Sequence, residues 1–253
     1  MRENKLLIII PVHNEAENLP GVLRGMTEHG IPSIADVLLI NDASEDATAD
    51  IIDRERYSSV TNVFCLGYGG AIQVGYKYAD RMGYEYLIQM DGDGQHDVCN
   101  IPVLYDRLQG EDRPDIVLGS RYLEGSRTFP LSPAKRLAHR LFRFIIRATT
   151  GQVITDPTTG LQALSRRAFS SYARYDNFDV RYPDANMLIQ MLLLRYRVVE
   201  APAVMHVRAA GTSIHSGWKP LWYMMRMVLS ALAVVYRIKV LKSGVPASGL
   251  REG

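Results

Sequence analysis

Cysteine is nearly absent: Cys65 and Cys99 are the only two in 253 residues. A disulfide framework is thereby excluded, and a reducing compartment, the cytoplasm, is the expected setting. Proline numbers 12 and glycine 20, too few for a collagen-like or low-complexity chain. Long apolar runs are missing too. The N-terminal one, Leu6–Ile10, stops at a proline, unlike the core of a signal peptide. The longest uncharged run near the C-terminus, Met227–Tyr236, has ten residues, whereas a spanning helix needs about twenty. Net charge is nearly lacking, with 29 Lys and Arg against 27 Asp and Glu. What is present, 47% hydrophobic and 22% charged residues, suits a folded chain long enough to bury a full core.

The neutrality is a sum of opposites. Residues 1–112 carry 8 basic and 19 acidic side chains, whereas residues 113–253 carry 21 and 8. Halves of opposite sign either face different partners or present ordinary solvated surfaces.

Lys5–Val12 (KLLIIIPV) is apolar without alternation, as expected of a strand buried on both faces. Glu17–His29 follows as a helix, with Leu19, Val22, Leu23 and Met26 on one side. Val37–Ile40 reads as a second strand, and Ser44 or Asp46 suits the cap of a helix running to about Arg56. Val63–Leu66 reads as a third, before a glycine turn and a helix to about Met82; Tyr86–Met90 and Ile116–Leu118 read as the fourth and fifth. Strand–helix alternation at this spacing predicts an α/β fold, a mostly parallel sheet flanked by helices. Ligands of such sheets bind beyond the carboxyl ends of the strands. There the chain turns polar, at His13-Asn14-Glu15, Asn41-Asp42, Gly67–Gly70 and Asp91–His96.

Pro133–Thr150 is predicted to be a helix, with Arg136, Arg140, Arg143 and Arg147 along one face and Leu137, Leu141, Phe144 and Ala148 along another. Tyr182–Leu194 reads as a helix and Val198–Val207 as a strand. Lys219–Val240 reads as a long apolar helix carrying Arg226, with Arg237, Lys239 and Lys242 at its end. One catalytic domain over 1–215 with a helical extension over 216–253 is the expected organisation.

The strongest chemical signal is Asp91-Gly92-Asp93-Gly94-Gln95-His96 behind the strand YLIQM. Two carboxylates two residues apart can share a hard divalent cation, which takes its further oxygens from a ligand's diphosphate, with Gln95 adding a neutral one. A tight turn rich in Asp and Gly is the alternative. Gly67-Tyr68-Gly69-Gly70-Ala71 opens a helix, where amides can serve an anion, yet it matches neither a dinucleotide fingerprint nor a P-loop. Asp42 can accept hydrogen bonds from a nucleobase or ribose, or it can cap a turn. Glu15 is open to the same two readings.

These stretches together resemble the family 2 glycosyltransferases of the GT-A fold, in the branch of polyprenyl- and dolichyl-phosphate sugar transferases. The resemblance rests on IIIPVHNEAENLP, LLINDASEDAT, GYGGAIQVGYKYA, LIQMDGDGQHD, VLGSRY, TDPTTGLQALSRRAF and VRAAGTS, in the family's order from residue 6 to about 215. It implies a GT-A, Rossmann-like sheet and a nucleotide-diphosphate sugar as donor. Pro11, Val12, His13 and Glu15 would line the nucleotide pocket, with Asp42 on the base or ribose. Gly67, Gly70 and Ala71 would shape the wall beside it. Asp91, Asp93 and Gln95, with Gly92 between, would hold Mg²⁺ or Mn²⁺ against the diphosphate. Arg121 matches an acceptor-side arginine, and Arg208 and Ser213 match a segment that closes over phosphates. Two positions depart from the pattern: Cys65 stands where many relatives have Asn, and Ile214 where polyprenyl-phosphate enzymes often have Lys, with His215 beside it.

The resemblance implies transfer of a hexose, with inversion, to a polyprenyl phosphate at the cytoplasmic membrane face. A phosphate acceptor is already anionic and needs positioning, by Arg121. A hydroxyl on a lipid-linked glycan or another cell-surface acceptor would need a base, for which Asp184 is the candidate. A catalytically silent nucleotide-sugar-binding protein is the third alternative. The basic stripe, with Trp218, Trp222 and Tyr223 near the last helix, suits peripheral contact with lipid headgroups. A nucleic-acid role is disfavoured because no binding module accompanies the stripe. The long last helix leaves a homo-oligomer open.

Overall fold

The computed structural model describes residues 4–55, 57–129, 133–181, 183–208 and 219–242. Seven strands form one sheet in the order β3-β2-β1-β4-β6-β5-β7. They are β1 (Leu6–Val12), β2 (Asp36–Asn41), β3 (Ser58–Thr61), β4 (Tyr86–Gln89), β5 (Ile116–Ser120), β6 (Gln162–Ser165) and β7 (Val198–Pro202). All but β6 run the same way; β6 lies antiparallel between β4 and β5. The carboxyl ends of six strands therefore share one edge. The reversed β6 brings to that edge the loop that precedes it, residues 155–161.

Helices α1 (Leu19–Glu28), α2 (Thr48–Glu55), α3 (Tyr68–Met82), α4 (Asn100–Leu108), α5 (Pro133–Thr150), α6 (Arg166–Ala173), α7 (Ala185–Leu193) and α8 (Lys219–Lys239) complete the described fold. The continuous apolar run of β1 is explained by cover on both faces. Leu7 and Ile9 enter one core cluster with Ile72, Tyr76 and Phe169, while Leu6, Ile8 and Ile10 enter the other with Leu23 and Leu104. Side chains alternate along a strand, so a strand buried twice has no polar face to show.

Several expectations are corrected. Val63–Leu66 is not a strand: the edge strand is Ser58–Thr61, and Val63 is 95% exposed. An edge strand needs little apolar content, and the polar SSVT gives no periodic signal. The helix at 182–194 is shorter, Ala185–Leu193, and β7 ends at Pro202, followed by isolated bridges at Val204 and Met205. On α5 the stripe Leu137, Leu141 and Phe144 is exposed, and the helix packs through His139, Phe142 and Ile146 instead. Helix α4, strand β6 and helix α6 carry too little pattern to be read from sequence. No described helix is long and apolar enough to cross a membrane.

Candidate active site

The acidic loop leaves β4 at the shared edge. Gly92 is required by close packing, since a Cβ there would lie 2.6 Å from Val12 Cγ1 and 3.1 Å from the Pro11 carbonyl. Gly94 supplies a left-handed residue, φ 76°. His96 is buried and staples the turn: its Nδ1 accepts the Asp91 amide at 3.1 Å. The Asp93 carboxylate accepts the Gln95 amide at 3.0 Å, and Asp91 Oδ1 accepts the Tyr68 hydroxyl at 2.9 Å. Burial, and after it the Asp91 charge, raise the Asp93 carboxyl above its usual range. Two carboxylates that disfavour each other's charge form a donor set that a hard cation relieves. Among the described residues no three His, Cys, Asp or Glu side chains gather into a metal cage. The pair therefore suits a cation that completes its shell with water and ligand oxygens. Gln95 lies at this site with its Nε2 3.5 Å from the His206 carbonyl.

Asp42 follows β2 and is 3% exposed. Its Oδ1 accepts Asn62 Nδ2 and the Leu66 amide, both at 2.8 Å, and its Oδ2 accepts the Gly67 amide at 2.8 Å. The Cys65 thiol donates to Oδ2 at 3.4 Å. The amides of the glycine turn thus already serve an anion, and that anion is Asp42. This side chain fixes the 62–67 loop that leads into α3. Gly67, φ 78°, begins α3, and a Cβ on Gly70 would meet Leu66 Cβ at 2.6 Å. Ala71 is buried in the core. Pro11 and Val12 are buried, while the exposed His13 places Nδ1 2.7 Å from the Asp42 carbonyl.

Arg121 follows β5 and does not stand free. Its Nε and Nη2 each donate to Asp156 at 2.7 Å, and its amide donates to the same carboxylate at 3.0 Å. Asp156 is fully buried. Burial works to raise its carboxyl, but the hydrogen bonds and charge of Arg121 hold it down at about 2. From α5, His139 Nε2 lies 3.5 Å from Asp156 Oδ1, with its ring 4.4 Å from that of Tyr122. Glu200 of β7 clamps the same loop, accepting the Thr155 and Asp156 amides at 2.8 Å. Further along, Gly160 sits so close to Asp91 that a Cβ would lie 2.9 Å from Oδ2. The 155–161 loop therefore joins Arg121 to the acidic loop.

Asp184 precedes α7 in a pocket lined by Tyr76, Gln89, Pro157, Gln162 and Met187. Burial and then the Asp91 charge push its carboxyl up to about 7, against the pull of Arg121. Across the site Arg208 pairs with Glu15, whose other oxygen accepts Asn18 Nδ2 at 2.7 Å. The stretch carrying Arg208 is stitched to the acidic loop. Asp97 N donates to the Val204 carbonyl at 3.2 Å, His206 N to the Gln95 carbonyl at 2.8 Å, and His206 Nε2 lies 2.6 Å from Asp97.

The structure thus gathers Glu15, Asp91, Asp93, Gln95, Arg121, Asp184 and Arg208 at one edge. Ser213, with Ile214, His215 and Trp218, lies outside the described residues, as do the side chains of Trp222 and Tyr223. Tyr68, Asp156, His139 and Glu200 were not singled out from sequence. Tyr68 lies in the glycine stretch GYGGA and Asp156 in TDPTTG, the two of these four that fall in a quoted motif.

The family model "Glycosyl transferase family 2" matches residues 7–173. Undecaprenyl-phosphate mannosyltransferase of Micrococcus luteus is 30% identical over 227 residues, covering 84% of this chain and 88% of that protein. Polyprenol monophosphomannose synthase of Mycolicibacterium smegmatis is 29% identical over 231 residues, covering 84% and 82%. Among solved structures, glucosyl-3-phosphoglycerate synthase from Mycobacterium tuberculosis with Mn²⁺, uridine diphosphate and phosphoglyceric acid aligns with a TM-score of 0.65 and 16% identity. That alignment covers 97% of this chain and 80% of the other, and it shows the shared GT-A-type fold. The chain belongs to glycosyltransferase family 2 and is a glycosyltransferase.

Proposed function

We propose that the protein moves a hexose from a nucleotide-diphosphate sugar to a polyprenyl phosphate, in a metal-dependent, inverting reaction at the cytoplasmic membrane face. The observation that carries this reading is the Asp91–Asp93 pair set beside Arg121 and Arg208 at one sheet edge. The activities of the Micrococcus and Mycolicibacterium relatives support the acceptor class. Catalysis would reside in residues 1–215, with 216–253 as a peripheral helical extension.

Asp91 and Asp93, with Gln95, would hold Mg²⁺ or Mn²⁺, which when bound neutralises charge on a departing nucleoside diphosphate. Glu15 holds Arg208 at the rim, where its guanidinium can exchange a carboxylate for a phosphate of equal hydrogen-bonding geometry. Ser213 would accompany it. Arg121, fixed in orientation by Asp156, presents a rigid positive charge to an anionic acceptor, which then needs no general base. Pro11, Val12, His13, Glu15, Gly67, Gly70 and the Asp42-pinned loop would enclose the nucleotide.

A second reading, transfer to a hydroxyl, is favoured by one observation. The Asp184 carboxyl is pushed up to about 7, where a general base works best near neutral pH. The experiment is to incubate purified protein and Mn²⁺ with a panel of nucleotide sugars and polyprenyl phosphate, reading products by mass. Glycolipid from one donor is expected, and none from any donor would overturn the assignment. With that donor, Asp184→Asn should leave phosphate glycosylation largely intact. Transfer to a hydroxyl acceptor, if that is the reaction, should instead lose about 100-fold or more in turnover in the same variant.

A further inference from the structure

Asp91 is tied through one of its two carboxylate oxygens. Oδ1 accepts the Tyr68 hydroxyl at 2.9 Å. Among the described residues Oδ2 accepts no hydrogen bond, and His96 Nε2 reaches it only at 3.8 Å. The groups behind Tyr68 fix the direction of the Oδ1 bond. A carbonyl can only accept, so the Gln89 amide nitrogen must face the Gly160 carbonyl, 2.9 Å away. That orientation turns Gln89 Oε1 to the Tyr76 hydroxyl, which donates to it, and leaves Nε2 3.1 Å from the Tyr68 oxygen. Tyr68 thus receives a hydrogen from Gln89 and directs its own to Asp91. Tyr76 and Gln89 are buried, so neither can turn to water instead. The backbone on either side of Tyr68 is equally constrained. The Gly67 amide is bonded to Asp42, and a Cβ on Gly69 would lie 2.2 Å from the Val180 carbonyl oxygen and 3.0 Å from Pro183 Cδ.

We propose that Tyr68 is a positioning residue for the cation site: its hydroxyl, aimed by Gln89, holds Asp91 by Oδ1 and leaves Oδ2 for a divalent cation. The Tyr68 ring is 40% exposed, so a phenyl group would sit there as well, and what the hydroxyl adds is its hold on the carboxylate. That hold matters because Asp91 and Asp93 disfavour each other's charge. A carboxylate repelled by its neighbour swings away unless something fixes it, and a swung carboxylate must be brought back before two oxygens can share one ion. Hydrogen bonds to a metal's carboxylate ligands orient those ligands in this way, and losing one weakens metal binding. Gly160 completes the arrangement. A Cβ there would lie 3.1 Å from the Tyr68 oxygen and 2.9 Å from Asp91 Oδ2, so the absent side chain leaves room for both groups.

The inference rests on the metal-dependent reading of the Asp91–Asp93 pair and deepens it. Mn²⁺ is titrated into the full chain, alone and with each of a panel of nucleoside diphosphates, and the free ion is read by electron paramagnetic resonance. The unaltered protein is expected to bind Mn²⁺, and Tyr68→Phe, which keeps the ring and deletes the hydroxyl, to bind it about tenfold more weakly. In turnover, the Mn²⁺ concentration giving half the maximal rate should rise by the same factor. Circular dichroism verifies folding. Should Tyr68→Phe misfold, Tyr68→Leu, another apolar side chain without the hydroxyl, is the second variant and should show a like loss. Mn²⁺ binding by the folded variant within about twofold of the unaltered protein overturns the inference alone. So does a loss seen in Tyr68→Leu and not in a folded Tyr68→Phe, which would assign the effect to the ring. No Mn²⁺ binding by the unaltered protein in any arm would instead remove the metal-dependent reading, and this inference with it.

Discussion

Single side chains here are set by what their neighbours do with charge. Asp184 is the sharpest case, a carboxyl held at about 7 against an ordinary value of 3.8. The folded protein therefore keeps a proton on this residue where the unfolded chain has released it. Stability attributable to this group falls as pH rises from about 4 to about 7, and the deficit is constant above. Asp184→Asn removes that dependence. In the presence of a chelator, wild type and variant should melt within about a degree of each other at pH 4, and the variant should melt several degrees higher at pH 8. Melting curves by calorimetry at the two pH values decide it, and a variant less stable at pH 8 would refute the raised pKa. Asp42 teaches a related lesson. Its four donors all come from residues 62–67, so the side chain expected at the base or ribose also fixes the loop that leads into α3.

At the scale of elements, the reversed strand β6 matters most. Because it runs against its neighbours, residues 155–161 arrive at the same edge as the acidic loop and place Asp156 under Arg121. The pair is buried on the Asp156 side, and removing one partner leaves a guanidinium without its counter-charge. Asp156→Asn should therefore cost about 3 kcal/mol of folding stability. Denaturant titration reads that loss as a lowered midpoint with an unchanged slope, and a shift below about 0.5 kcal/mol would show the pair to be dispensable. Helix α5 misleads from sequence for an equally physical reason. Its outward ridge of Leu137, Leu141 and Phe144 is as apolar as any core face, while its true inward face includes His139. Periodicity identifies an amphipathic helix but not which of two apolar stripes is buried.

Across the whole molecule, the parallel half of the sheet was readable. KLLIIIPV, VLLI and YLIQM are buried on both faces and so are unbroken apolar runs. The edge strand SSVT and the short antiparallel QALS carry no such run, and their places are decided by pairing with distant strands. Asp91, Asp93, Arg121 and Arg208 were legible because each sits in a motif at a strand end or beyond it. Tyr68, His139 and Glu200 were not, since only the fold brings them from remote positions to Asp91 and Asp156. The opposed charges of the two halves also meet in space, with Glu15 paired to Arg208 and Asp112 to Arg197. The stretch 203–208 lies at this seam, bonded to Gln95 and Asp97 on one side and to Arg127 on the other. One strip of backbone thus carries both the Arg208 guanidinium and one wall of the acidic loop. On the proposed reading, a phosphate that draws Arg208 from Glu15 would pull on the backbone that is bonded beside the proposed cation ligands. Binding of metal and of nucleoside diphosphate would then be coupled, each raising the affinity of the other by one common factor. That factor is measurable by titrating Mn²⁺ with and without the nucleotide, and it should shrink in Arg208→Ala. On that reading the seam would make the release of either ligand a step toward the release of both.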